Sequence, residues 1–396
     1  MDRRTDALDA PRVALLGLVA LASAMGIGRF AFTPLMPLMQ AQGMLSFGQG
    51  AWLAGANYCG YLVGALACSF APPEPRRAAR VAMVAVAAVT LAMGWTAQVG
   101  LWIVLRFAAG VASAYVLVGV SAWALPALTQ LGRPGWSGWV YAGVGVGIAA
   151  VGAMGLAAGI AHIEPATLWL SLGAVSAVAS ALTWSPLRPG APAVSQIARS
   201  DSRFGAREWR LILCYGAFGF GYIIPATFLP AMVRELVDEP AVFGWAWPVF
   251  GAMAAISTIL TAPMLRRLSP RRIWISAQWI MALGVLAPVL ARNLGTLLLA
   301  ALCVGGTFMV ITMVGMLEAR RHTGQAGRLM AAMTAAFATG QLLGPLAVGL
   351  AAPHGIPSIA GPSLLAAAGL VASAWMLRQG ATDPTGGATE GARTGT

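Results

Sequence analysis

RVALLGLVALASAMGIGRFAFTPLMPLM, from Arg12 to Met39, holds one charge between its ends, Arg29. A helix needs about 20 apolar residues to cross hydrocarbon, and this run is longer than that. Arg3 and Arg4 precede it, and Ala22-Ser23-Ala24 has the small residues of a cleavage site. The apolar stretch nonetheless continues to Met39, too far for the core of a signal peptide, so it is read as a retained helix.

Eleven comparable runs follow, at 49–70, 79–97, 100–126, 137–160, 166–184, 209–233, 242–263, 273–291, 294–317, 329–352 and 359–378. Unbroken apolar runs exclude barrel strands, which alternate in polarity. The expected fold class is therefore all-α integral membrane, with twelve transmembrane helices. Composition agrees: 58% of the 396 residues are hydrophobic and 10% are charged. A soluble domain has about 25% charged residues and could not cover its surface with so few.

All 25 basic residues are Arg, against 13 acids, for a net charge of +12. Their distribution gives the orientation. With the N-terminus inside, the inner segments hold Arg3, Arg4, Arg12, Arg76, Arg77, Arg80, Arg133, Arg266, Arg267, Arg271, Arg272, Arg320, Arg321 and Arg328. Another five, Arg188, Arg199, Arg203, Arg207 and Arg210, lie in the central loop, whereas the outer loops hold only Arg234 and Arg292. Both termini are expected in the cytoplasm, and the basic loops are expected to meet membrane lipid, not nucleic acid.

Two parts of the chain resemble one another. Gly26-Ile27-Gly28-Arg29 with Pro37 is matched 193 residues later by Gly219-Phe220-Gly221-Tyr222 with Pro230. Gly155-Leu156-Ala157-Ala158 returns as Gly349-Leu350-Ala351-Ala352, 194 residues on. Arg76-Arg77 and Arg271-Arg272 mark equivalent loops. The expected organisation is two pseudo-symmetric six-helix bundles, 1–184 and 209–379, joined by a cytoplasmic loop at 185–208. A disordered tail at 380–396 follows. Parallel repeats of this kind place a substrate site near the midplane between them.

Twelve helices in two halves with a basic central loop resemble the major facilitator superfamily. Within it, the stretch Gly26 to Met39 resembles the first-helix signature of the YbfB/YjiJ family of bacterial transporters, and Arg106-Phe-Ala-Ala-Gly110 resembles the superfamily's RxxxG element. The resemblance implies secondary transport by alternating access across the inner membrane, with helices one and four lining a central cavity. Two departures count against drug/proton antiport. The loop Pro72-Pro-Glu-Pro-Arg-Arg77 lacks the Asp of the superfamily pattern. The Gly143–Gly152 stretch lacks the proline of the antiporter signature, while Gly344-Pro345 stands in helix eleven.

Arg29 and Arg106 lie deep in apolar runs, where a charge costs about 2.5–3.5 kcal/mol on insertion scales. Arg29 is 17 residues beyond Arg12, or about 25 Å from the inner edge, and Arg106 lies at similar height. Thr33 follows Arg29 on the same α-helical stripe, and Ser113 shares a face with Arg106. With no acid in the membrane core to pair either guanidinium, the substrate is expected to supply the negative charge. The competing expectation is structural: Arg29 could bond carbonyls near Pro34 and Pro37, and Arg106 could reach headgroups. Further candidate ligands are Asn57 and Tyr61 on helix two, Tyr215 and Tyr222 on helix seven, and Thr334 and Gln341 on helix eleven. Each could equally serve interhelical bonding.

Cys59, Cys68, Cys214 and Cys303 read as packing residues, and His162, His322 and His354 fall in loops. No cofactor, metal or enzymatic constellation is expected. A monomeric carrier of a small organic anion, driven outward by the membrane potential, is the expected function. The alternatives are a proton-coupled exporter of neutral or cationic compounds and a non-transporting sensor on the same fold.

Overall fold

The computed structural model describes residues 8–188, 203–236, 245–321, 326–350 and 359–379. Arg3, Arg4, Arg199, His322, His354, Ala351, Ala352, most of the central loop and the tail lie outside the described residues.

Among the described residues there are twelve helices long and apolar enough to cross a membrane, and no strand. They are α1 (Ala10–Ala41), α2 (Phe47–Phe70), α3 (Pro75–Trp95), α4 (Val99–Gln130), α5 (Ser137–Ile160) and α6 (Pro165–Trp184). The second set is α7 (Ala206–Leu236), α8 (Ala246–Met264), α9 (Pro270–Leu290), α10 (Leu294–Ala319), α11 (Ala326–Leu350) and α12 (Ala360–Gln379).

Local chemistry explains where the helices begin. Asp9 caps α1 by accepting from the Arg12 N–H at 3.1 Å, with Pro11 in the first turn. Ser46 and Gln49 form a reciprocal capping box on α2, and Asn293 with Thr296 does the same on α10. Glu74 accepts from the N–H groups of Arg76 and Arg77 at 3.1 and 2.6 Å, so the loop's only acid starts α3.

The arginines at the other helix ends are less solvated than basic loops would be. Arg76 Nη1 donates to Arg188 O at 3.2 Å, and Arg271 Nε donates to Leu377 O at 2.6 Å. The Arg80 guanidinium lies 3.8 Å from the Trp184 ring centroid. These contacts satisfy carbonyls and aromatic faces where helices run out of partners.

The first six helices pack mainly on each other, as do the last six. The two sets meet where α5 lies along α8 and α2 lies along α11. Glycine sets the first of these approaches. A Cβ added to Gly138 would fall 2.6 Å from Thr258 O, and one on Gly152 would fall 2.8 Å from Pro248 Cδ. With lipid outside and no water to expel, close backbone approach supplies the helix–helix attraction. The outward faces are apolar, with Phe70 79% and Leu260 64% exposed, as contact with acyl chains requires.

Candidate substrate-binding site

The site is built from the break in α1. The helix is regular over Ala10–Leu21, runs as a π-helix from Ala22 to Phe30, and resumes as an α-helix at Phe32. In a π-turn the carbonyl of Arg29 would accept from the N–H of residue 34, but Pro34 has none. The carbonyls of Gly28 and Arg29 are met from α4. Arg106 Nη1 donates to Gly28 O at 3.0 Å, and Nη2 donates to Arg29 O at 2.9 Å. Asn57 Nδ2, from α2, donates to Gly28 O at 3.3 Å and to Arg106 O at 2.9 Å. Ser113 Oγ is engaged with Ala24 O at 2.8 Å and Ala109 O at 2.7 Å.

This geometry engages three of the candidate ligands with backbone. Arg106, Asn57 and Ser113 are buried. Arg106 Nη1 and Nη2, Asn57 Nδ2 and Ser113 Oγ hold backbone, whereas Arg106 Nε and Asn57 Oδ1 have no hydrogen-bond partner. None of the three residues is among those lining the central cavity. Arg106 is a fork across the broken helix and does not reach headgroups. Thr33 is exposed. The 22–30 segment is wound as a π-helix, so the four-residue stripe from Met25 through Arg29 does not continue to Thr33.

Arg29 itself is buried at 3% exposure. Its Nη2 donates to Gln341 Oε1 of α11, in the other half of the molecule. The guanidinium lies over the Tyr61 ring at 3.6 Å from the centroid, with Tyr58 at 5.6 Å and Phe30 at 5.7 Å. Arg29 Nε and Nη1, the Tyr61 hydroxyl and Gln341 Nε2 are buried without a hydrogen-bond partner. Donor capacity on three side chains from three helices is thus left unused around one point.

That point borders a cavity of about 20 Å³ between the two halves. Arg29 and Tyr61 face it from the first half, together with Met25, Phe30 and Leu117. Tyr215 and Thr334 face it from the second, with Phe308, Met309, Thr312 and Phe337. No carboxylate is among these lining residues. Thr334 Oγ1 donates to Met330 O at 2.8 Å, so its hydroxyl proton is already engaged. Tyr222 lies behind the wall, stacked on Phe308 at 5.1 Å and on Phe337 at 5.7 Å.

The chain matches, over residues 21–378, the family described as "Uncharacterised MFS-type transporter YbfB". It belongs to that family. A search of curated proteins by sequence finds no match. Among solved structures, the fold of this YbfB-type chain is similar to that of the human organic anion transporter MFSD10 (TETRAN). The two share 15% identity and a TM-score of 0.67, over 92% of this chain and 98% of that one. It is also similar to the nucleoside transporter NupG, at 14% identity and a TM-score of 0.60, over 93% of this chain and 99% of that one. At these identities the likeness establishes the major facilitator fold and multi-pass membrane architecture.

Sequence reading missed the aromatic half of this YbfB-type site. Tyr58, Phe30, Phe308 and Phe337 lie in apolar runs where an aromatic residue reads as core. The available signal was Tyr58 beside Asn57, one residue from a polar candidate.

Proposed function

We propose that this protein carries a small organic anion with an apolar or aromatic body across the bacterial inner membrane by alternating access. One observation carries the reading: a buried Arg29 whose Nε and Nη1 have no partner, at a cavity whose lining includes no acid. A carboxylate or similar anion fits a forked donor, and Tyr61 and Gln341 add donors beside it. Phe30, Phe308 and Phe337 suit an apolar body. The fold shared with an organic anion transporter accords with this reading without identifying the solute.

The cavity has room for about one water molecule. Entry of an organic solute therefore requires the halves to part. In this reading residues 1–184 and 209–379 move as two bodies about the α5–α8 and α2–α11 seams, with 185–208 as their link. Both termini and the arginine-rich loops face the cytoplasm, and the transport unit is a monomer. The lining's lack of a carboxylate disfavours cation export coupled to a protein-borne proton. An inside-negative potential drives an anion outward, at about 2.3 kcal/mol per charge per 100 mV, which favours export or exchange.

Thermal stabilisation of the purified protein by a solute panel tests the substrate class, because a bound ligand raises stability by mass action. Aromatic and branched carboxylates are expected to stabilise, and their neutral amides are not. Equal stabilisation by acid and amide, or stabilisation by amines alone, would overturn the anion reading.

A further inference from the structure

A second cavity, of about 890 Å³, lies at the arginine-rich end of the molecule, far larger than the central one. It is bounded by the turn between α4 and α5 and by the adjoining ends of α8, α9 and α10. Four arginines face it: Arg133, Arg266, Arg320 and Arg321. Two are already committed. Arg320 Nη1 donates to Leu125 O at 2.9 Å and to Thr129 Oγ1, and Arg321 pairs with Glu318 at 3.3 Å. Arg133 and Arg266 are exposed and have no side-chain hydrogen bond or ion pair to any described residue.

The remaining wall is apolar, with Trp136 and Trp139 at 6.4 Å between ring centroids. Trp139 is also 45% exposed, and Leu260 and Met264 of α8 are 64% and 46% exposed. Cationic heads thus stand beside surface that only acyl chains would cover. Arginine forks match phosphate oxygens, and tryptophan suits the headgroup level of a bilayer.

We propose that this cleft binds an anionic phospholipid. Its phosphate sits on Arg133 and Arg266, and its chains lie over Trp139 and the exposed face of α8. Arg133 belongs to the first half and Arg266 to the second, so one headgroup held by both would tie the halves together at this end. The inference rests on the membrane-embedded fold and not on the anion-carrier reading. Its test contains no transport solute, so the two can fail separately.

The test compares thermal unfolding in nanodiscs of phosphatidylcholine alone with nanodiscs that also contain phosphatidylglycerol. Phosphatidylglycerol is expected to raise the midpoint. The Arg133→Gln/Arg266→Gln pair should lose half or more of that rise, and the equally charged control Arg12→Gln/Arg77→Gln should keep it. Inorganic phosphate added to phosphatidylcholine discs should not reproduce the rise. The proposal is overturned if the cleft pair keeps the full rise, if both pairs lose it equally, or if free phosphate acts as well as the lipid. Should the pair not fold, native mass spectrometry of the unaltered protein decides. Preferential retention of phosphatidylglycerol over phosphatidylcholine supports the site, and equal retention overturns it.

Discussion

Arg29 of α1 donates a hydrogen bond to Gln341 of α11, so a cation of one half is held by an amide of the other across the candidate site. An incoming anion would meet Arg29 with this partner in place. Gln341→Glu would put a permanent negative charge there and occupy the cation internally. Anion affinity is expected to fall tenfold or more, equivalent to about 1.4 kcal/mol per factor of ten. Gln341→Ala frees Arg29 Nη2 but also removes the Nε2 donor, so it is expected to cost much less affinity than Gln341→Glu. Ligand-induced thermal shifts of the two variants give the comparison, and equal behaviour would remove Arg29 as the anion's contact.

Arg106 is expected to act on stability before affinity. Arg106→Gln strands the carbonyl of Arg29, at about 1–3 kcal/mol for a buried group left without a partner, and leaves Gly28 O only the 3.3 Å bond from Asn57. Arg106→Lys keeps the charge and loses the fork, so it should recover part of the stability. Unfolding midpoints in detergent would show the order wild type, Lys, Gln. A Gln variant as stable as wild type would contradict the bracing role.

Tyr61 supplies a ring face to Arg29 and a free hydroxyl. Tyr61→Phe keeps the face, and Tyr61→Ala loses both. Cation–π attraction amounts to about 0.5–2 kcal/mol, so the Ala variant should bind anions roughly tenfold more weakly. The Phe variant should lose less, through the missing donor alone. Binding isotherms separate the two contributions.

Transport of a singly charged anion should respond to voltage. In liposomes, an inside-negative potassium diffusion potential is expected to speed anion efflux and slow its uptake. Flux indifferent to voltage but driven by a pH gradient would point instead to proton coupling.

Most of the fold was legible because hydrocarbon imposes one rule on every span. The run read at 12–39 becomes Ala10–Ala41, and the run at 100–126 becomes Val99–Gln130. The second was cut short at Pro126, yet α4 passes through it, since a membrane helix tolerates proline where neighbours satisfy the freed backbone. The buried charges were legible too, but their partners were not. Arg106 serves carbonyls 77 and 78 residues away, in another helix. Gln341 lies 312 residues from Arg29. The spacing that put Thr33 on one stripe with Met25 and Arg29 assumed an α-helix, and Met25 and Arg29 lie in the π segment. The glycines of α5 are packing positions: Gly143 and Gly147 approach the backbone of α1, and Gly145 that of α8.

The meeting of α5 and α8 has a mechanical corollary. Gly145 and Gly251 bring main chain against main chain, with no long side chains to stretch as the helices part. Dispersion fades steeply: a gap of about 0.5–1 Å already forfeits a quarter to a half of the attraction. Such a joint has little elastic travel. If the protein works by alternating access, such a joint would act like a magnetic clasp, fully shut or fully released, with few half-open postures through which ions could leak.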